Sequence, residues 1–322
     1  RQIRKHAAGE RHFKVTSLSK SLEGTFLWGG TDDGQIFQLN ISGNAVPGIL
    51  THKLRSFSDK QIKIWSVTET RPDLLWVGTD GDGVYKFIME NNFFSSLRKG
   101  SPGEGLLSHS IVRAIYEDQK GNLWIGTRGD GLNYIRGSGR ETRIYDVQNG
   151  LSNNAVLALC EDNHHNMWIG IDGEGIDMLE TNTGNILHFP GDFVNETNLS
   201  FGYVYAIVFD SFGELWLGTS GYGLLRLQIQ KVSDGKYRVK SYKNYRSSLA
   251  DKNGLQSNII YAITEGEPTN MWIGTRGSGL YRLNTLTHEF ESYRSNPGNL
   301  NSLNNNDILS LWKSDNQQLW IG

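Results

Sequence analysis

The sequence is short of cysteine, of proline and of long apolar runs, and each shortage excludes something. One cysteine, Cys160, in 322 residues excludes an internal disulfide framework and any cysteine-based zinc cluster. No uninterrupted apolar run reaches the ~18 residues of a membrane-spanning helix. The basic start RQIRKHAAGER leads into no apolar stretch, so it is not expected to act as a signal peptide. Excess charge of either sign is also missing. The 32 Lys and Arg against 34 Asp and Glu leave a net charge of -2, which argues against nucleic acid as a partner, because neutralising phosphates takes concentrated cations. Six prolines beside 38 glycines indicate many tight turns. No segment sustains the 3.6-residue apolar period of a helix.

What is present is a repeat. An apolar residue, Trp, an apolar residue or Gly, and Gly recur as LWGG (27–30), LWVG (75–78), LWIG (123–126), MWIG (167–170), LWLG (215–218), MWIG (271–274) and LWIG (319–322). The tryptophans are Trp28, Trp76, Trp124, Trp168, Trp216, Trp272 and Trp320, at spacings of 48, 48, 44, 48, 56 and 48 residues. Upstream of all but the first lies a short apolar, often β-branched stretch: IWSV (64–67), VRAI (112–115), VLAL (156–159), VYAI (204–207), IYAI (260–263) and ILSL (308–311). Turn residues such as EDQKGN (117–122) separate it from the Trp stretch. Gly-x-Gly and two further strands follow, as in GLNYI (131–135) with RIYDV (143–147), or GLYRL (279–283) with FESY (290–293).

Four short antiparallel strands per repeat, a period near 48 and no helices predict an all-β fold, a seven-bladed β-propeller of four-stranded blades over 1–322. The last blade is incomplete, because the chain stops at Gly322 after its second strand. Either an N-terminal segment such as RHFKV (11–15) contributes to that blade, or the chain is a fragment of a longer protein, which is the preferred reading. The Trp is expected between blades, where a large aromatic buries roughly 150–250 Å². The Gly after it admits close approach of the neighbouring blade. The small residue at Ser66, Ala114, Ala158, Ala206, Ala262 and Ser310 suits the crowded centre of a ring.

The unit EDQKGNLWIGTRGDGLNYI (117–135), preceded by GLLSHSIVRAI (105–115), resembles the two-component regulator propeller repeat. GLSNNAVLALCEDNHHNMWIGIDGEGI (150–176) and GLQSNIIYAITEGEPTNMWIGTRGSGLYRL (254–283) resemble it equally, while TFLWGGTDDGQIFQL (25–39) departs most, with Gly after the Trp. The resemblance implies the periplasmic sensor region of a hybrid two-component system of the Bacteroides type. Such a region comprises two tandem propellers and a small β-sandwich, followed by a membrane helix, histidine kinase, receiver and AraC-type DNA-binding domain. It implies an oligosaccharide ligand, a homodimeric parent sensor, and contact with the membrane only through segments outside this chain. No kinase, receiver or phosphoacceptor pattern occurs here, so the chain itself is read as non-catalytic, with no cofactor and no metal.

In a propeller, the loop leading into the first strand and the loop joining the second and third strands share one face, the expected funnel for a ligand. The joining loops follow T-x-G-x-G and carry Asp80, Asp82, Arg128, Asp130, Asp172, Glu174, Ser220, Tyr222, Arg276 and Ser278. The lead-in loops carry His109, Asn153, Asn154, Asn258, Asn305 and Asn306. One first-strand position varies in type: Trp65, Arg113, Leu157, Tyr205, Tyr261 and Leu309. Aromatic faces with Arg and amides suit a sugar or an anionic sugar. Two other functions compete, a propeller glycosidase or polysaccharide lyase using Asp82, Asp130, Asp172, Glu174 or Tyr222, and a protein-interaction scaffold.

Several motifs are set aside. RGD (128–130) is a product of the repeat. TDGDG (79–83) lacks the twelve-residue spacing and closing Glu of a calcium loop. The pairs Glu117–Asp118 and Glu161–Asp162, with His164–His165, read as solvated turn residues rather than a catalytic or metal cluster. The sequons at Asn40, Asn195 and Asn198 matter only in a eukaryotic secretory setting.

Overall fold

In this computed structural model the described residues are 14–41, 49–53, 62–72, 74–88, 93–97, 99, 107–137, 141–189, 202–232, 237–248, 250–299, 301–314 and 318–322. Their regular elements are strands, apart from a 3-10 turn at Val147–Asn149. The first sheet joins β1 (Val15–Lys20), β2 (Phe26–Thr31), β3 (Gln35–Asn40) and β4 (Ile49–Lys53). The second joins β5 (Ile64–Arg71), β6 (Leu74–Thr79), β7 (Val84–Ile88) and β8 (Phe93–Leu97). The third contains β9 (Val112–Glu117), β10 (Leu123–Thr127), β11 (Leu132–Ile135) and β12 (Thr142–Tyr145). Next come β13 (Val156–Glu161), β14 (Met167–Ile171), β15 (Gly175–Leu179) and β16 (Ile186–Phe189), then β17 (Val204–Phe209), β18 (Leu215–Thr219), β19 (Leu224–Lys231) and β20 (Tyr237–Tyr245). The sixth sheet holds β21 (Ile260–Glu265), β22 (Asn270–Thr275), β23 (Leu280–Asn284) and β24 (Phe290–Tyr293), and a two-stranded sheet pairs β25 (Leu311–Lys313) with β26 (Leu319–Ile321).

Each complete sheet runs in chain order, and its pairings are antiparallel. These are six propeller blades and part of a seventh, the architecture expected from the period. Among the described residues the first strand is Val15–Lys20, and it pairs with β2 of the first blade. One detail differs from expectation. In ILSL (308–311) only Leu311 is in a strand. Most of RHFKV, and both Asn195 and Asn198, lie outside the described residues.

The chain divides into two compact units, Arg11–Leu159 and Cys160–Ile321. In the first, Trp28 packs with Ile36, Ile64, Val67, Val77 and Phe87 from the first and second blades. In the second, Trp216 packs with Ile260, Ile263, Ile273 and Tyr281 from the fifth and sixth. The repeated tryptophan is therefore inter-blade core. Trp28, Trp124, Trp168 and Trp216 are almost wholly buried, Trp272 is buried, and Trp76 and Trp320 are half-buried. At ~25 cal/mol per Å², one such side chain contributes roughly 4–6 kcal/mol of transfer free energy as an upper bound. The glycine that follows accepts a branched side chain of the next blade rather than its backbone. A Cβ on Gly126 would lie 2.7 Å from Val156 Cγ1, and one on Gly218 2.9 Å from Ile260 Cγ2.

The turn before Trp124, Trp168 and Trp216 holds a second shared feature. Asp118 Oδ2 accepts the Trp124 indole N–H at 2.9 Å, and its Oδ1 accepts the backbone N–H groups of Lys120 (3.0 Å) and Asn122 (2.8 Å). Asp162 does the same for Trp168 at 2.9 Å, and Asp210 for Trp216 at 2.8 Å. One carboxylate thus closes the turn and anchors the ring. The expectation of solvated carboxylates is corrected here: Asp118, Glu161 and Asp162 are buried. Burial also pushes the Glu117 carboxyl above its ordinary value, with Arg71 opposing and Asp118 adding to the shift. His165 Nδ1 lies 2.8 Å from Glu161 Oε1 in the same turn.

Candidate functional site

The position that varies in type has a structural definition. In the first strand of five blades the register slips by one residue against the second strand, and the slipped residue is Thr16, Trp65, Arg113, Tyr205 or Tyr261. Val112 pairs with Thr127 and Ala114 with Gly126, leaving Arg113 opposite nothing. A β-bulge of this kind frees a side chain from the pleat and re-aims it. Type is therefore unconstrained by sheet packing, whereas the flanking residues stay apolar or small.

Within Arg11–Leu159, β1, β5 and β9 lie side by side, which brings Trp65 and Arg113 together. The Arg113 guanidinium carbon lies 4.0 Å from the Trp65 ring centroid, and Lys63 Nζ lies 3.7 Å from it. Lys63 was not singled out from sequence, because it precedes the strand. The other candidates of this unit are loop-bound. Thr79 Oγ1 donates to Gly83 O at 2.7 Å and accepts Asp82 N–H at 3.1 Å. Thr127 clamps its own loop in the same way, through Gly131 O at 2.8 Å. These staples present Asp80 and Arg128 exposed and Asp82 and Asp130 half-buried. Tyr85 hydroxyl donates to Asp82, and Lys99 Nζ pairs with Asp130 at 2.7 Å. His109 Nδ1 accepts the Ile111 N–H at 3.0 Å, which places the ring proton on Nε2 in the neutral form. Asn154 Oδ1 accepts the Val147 N–H at 2.9 Å.

Within Cys160–Ile321, Tyr205 and Tyr261 meet with centroids 5.5 Å apart at 51°. Burial pushes the Tyr261 phenol above its ordinary value, the Arg276 charge opposes this, and Tyr205 and Asp307 add to it. Asp307 Oδ1 accepts the Gly277 N–H at 2.8 Å and so fixes the loop carrying Arg276. The Arg246 guanidinium lies 5.6 Å from the Tyr222 centroid. Asn258 Oδ1 accepts the Ser247 N–H at 2.8 Å, and its carbonyl accepts Gly221 and Gly223. Asp172 is half-buried and Glu174 exposed. A polar groove of about 590 Å³ lies elsewhere in this unit, lined by Asp251, Arg282, His288 and Glu291, and it includes none of the sequence-derived candidates.

Blades of this form, sealed by an inter-blade tryptophan and opened in five of them by a bulge in the first strand, define a β-propeller of tandem repeats. Residues 105–129, 150–173, 198–221 and 254–277 match the family model of the two component regulator propeller. These four segments match the repeat of that family. No curated protein matches it by sequence. Among solved structures, the extracellular domain assigned to the hybrid two component system BT3049 of B. thetaiotaomicron is 20% identical, with a TM-score of 0.74 over 100% of this chain and 40% of that one. The extracellular domain of BT4673 from the same organism is 19% identical at a TM-score of 0.73, over 100% and 38%. PorZ, a surface component of the type-IX secretion system of Porphyromonas gingivalis, is 18% identical at 0.68, over 97% and 45%. At this identity the likeness is one of fold, and the chain spans about two fifths of the length of these proteins.

Proposed function

We propose that the chain is a non-catalytic, ligand-sensing part of a periplasmic, two-component-type sensor, and that its ligand is an oligosaccharide. The observation that carries this reading is the coincidence of regulator-propeller repeats with bulged first-strand positions holding Trp65, Arg113, Tyr205 and Tyr261. Aromatic rings offer sugars apolar faces and polar tips, and Arg pairs with carboxylates or hydroxyls. The parent protein, in this proposal, is a homodimer that carries the signal across the membrane through segments beyond this chain. A thermal-shift screen against defined plant and host oligosaccharides tests it, with Arg113→Gln and Tyr261→Phe alongside. A saturable shift removed by either substitution supports the sensor reading. Release of shortened products from any glycan overturns its non-catalytic part. The likeness to PorZ favours a second reading, a protein-interaction scaffold, which stands if no saccharide shifts the protein.

A further inference from the structure

We infer that Lys63, Trp65 and Arg113 form a site for the carboxylate of an acidic sugar. The inference deepens the proposed oligosaccharide reading and rests on it. Two cations approach one indole, Lys63 Nζ at 3.7 Å and Arg113 Cζ at 4.0 Å from the ring centroid. Each is within the ~6 Å over which a ring quadrupole attracts a cation. The indole itself brings a third donor. Trp65 Nε1 is buried and has no hydrogen-bond partner, although an unmet buried donor costs about 1–3 kcal/mol. Ammonium, guanidinium and indole N–H are donors only, and a carboxylate is an acceptor only.

The placement suits a ligand better than a core stack. Trp65 and Arg113 are both bulged residues, on adjacent first strands β5 and β9, and both are half-buried. The fold does not need a cation or an aromatic there, since Thr16 occupies the same bulge in the first blade. Nor does charge balance favour two cations together. Burial, above all, draws Lys63 below the ordinary lysine value, Asp80 opposes this, and Arg113 draws it down further. A bound anion beside them relieves that cost. The planar guanidinium fork selects a planar carboxylate that it can grip with two N–H groups.

The test is calorimetric titration of the whole chain with tri-galacturonate and a hyaluronan tetrasaccharide, against neutral galactotriose and, separately, glutarate. Lys120→Gln, an exposed turn lysine, is the control. The expected result is binding of an acidic saccharide at least tenfold tighter than the neutral one and weakened by salt. Arg113→Gln should reduce it tenfold or more, and Trp65→Phe, which keeps an aromatic face and deletes the N–H, about threefold or more, neither lowering the melting temperature. Neutral saccharide binding as tightly as acidic overturns the carboxylate site and leaves the oligosaccharide reading standing. Glutarate bound in an Arg113-dependent way, with no saccharide bound, keeps the carboxylate site and overturns the oligosaccharide reading. Acidic binding untouched by both substitutions, or no binding of any carboxylate, overturns the inference.

Discussion

Asp210→Ala isolates the contribution of the turn carboxylate that anchors the tryptophan in three of the blades. Asp210 is buried and accepts three hydrogen bonds, from Phe212 N at 3.0 Å, Glu214 N at 2.9 Å and Trp216 Nε1 at 2.8 Å. Alanine leaves all three donors. The Trp216 ring is fully buried, so its N–H loses a partner where water does not reach, at about 1–3 kcal/mol. Of the two backbone donors, Phe212 N lies among the exposed turn residues Ser211, Phe212 and Gly213, and Glu214 N borders them although Glu214 is itself buried. Water partly replaces the carboxylate there, and each costs about 0.5–1 kcal/mol. The expected loss is about 3 kcal/mol, and Asp210→Asn, which retains an acceptor oxygen, should lose about 1 kcal/mol. Urea titration followed by tryptophan fluorescence and far-UV circular dichroism measures both, and coincidence of the two curves justifies a two-state fit. Trp216→Phe in each background completes a cycle whose coupling should be about 1–2 kcal/mol. A loss under about 0.5 kcal/mol for the alanine variant, at the low edge of what one hydrogen bond is worth, or a coupling near zero refutes the anchor. Other blades vary the device: Thr70 takes the Trp76 N–H at 3.0 Å, and Gly266 stands at the equivalent position before Trp272.

Three further outcomes are expected. Ser66 Oγ is buried without a partner, where four other blades have alanine, so Ser66→Ala should raise stability by about 1 kcal/mol in the same titration; a loss of that size would show that the hydroxyl is bonded. Gly131 has φ +85°, and its Cβ would lie 2.0 Å from Tyr145 O, whereas Gly173 at φ +84° faces open space. Gly173→Ala should cost about 1 kcal/mol and Gly131→Ala at least twice that, and equal costs would mean that the Tyr145 contact yields freely. His288 is held below the ordinary histidine value by burial first, then by the Lys243 and Arg226 charges, and its Nδ1 lies 2.8 Å from the Tyr245 hydroxyl. Its folded value being depressed, the neutral form's contribution is complete above the unfolded value of ~6.5 and is lost as pH falls from there through the folded value. Proton NMR titration should show His288 below the ordinary histidine value and moving up in Tyr245→Phe; an unchanged value would show that the phenol does not donate to it.

Much of this protein is written in its period. The Trp–Gly pair, the β-branched first strands and the turn glycines recur because every blade meets its neighbour through the same contacts, so one repeat's chemistry is readable from the others. Local geometry follows as well: the T-x-G-x-G loops are stapled by Thr127 and Thr219 as a short loop with positive-φ glycine requires. What sequence leaves open are meetings across register and between strands. Asp118 reaches Trp124 because a turn folds position i onto position i+6, a spacing that suggests no contact in a straight strand. Trp65, Arg113, Tyr205 and Tyr261 stand out in sequence only as an inconsistent column, and the bulge that frees them appears only when strand is paired with strand. Lys63 joins Trp65 and Arg113 because two first strands 48 residues apart lie side by side. Periodicity fixed which residues are core, since burial repeats with the blade. Tertiary structure decided which exposed and half-buried residues act together, since that depends on distances no repeat encodes.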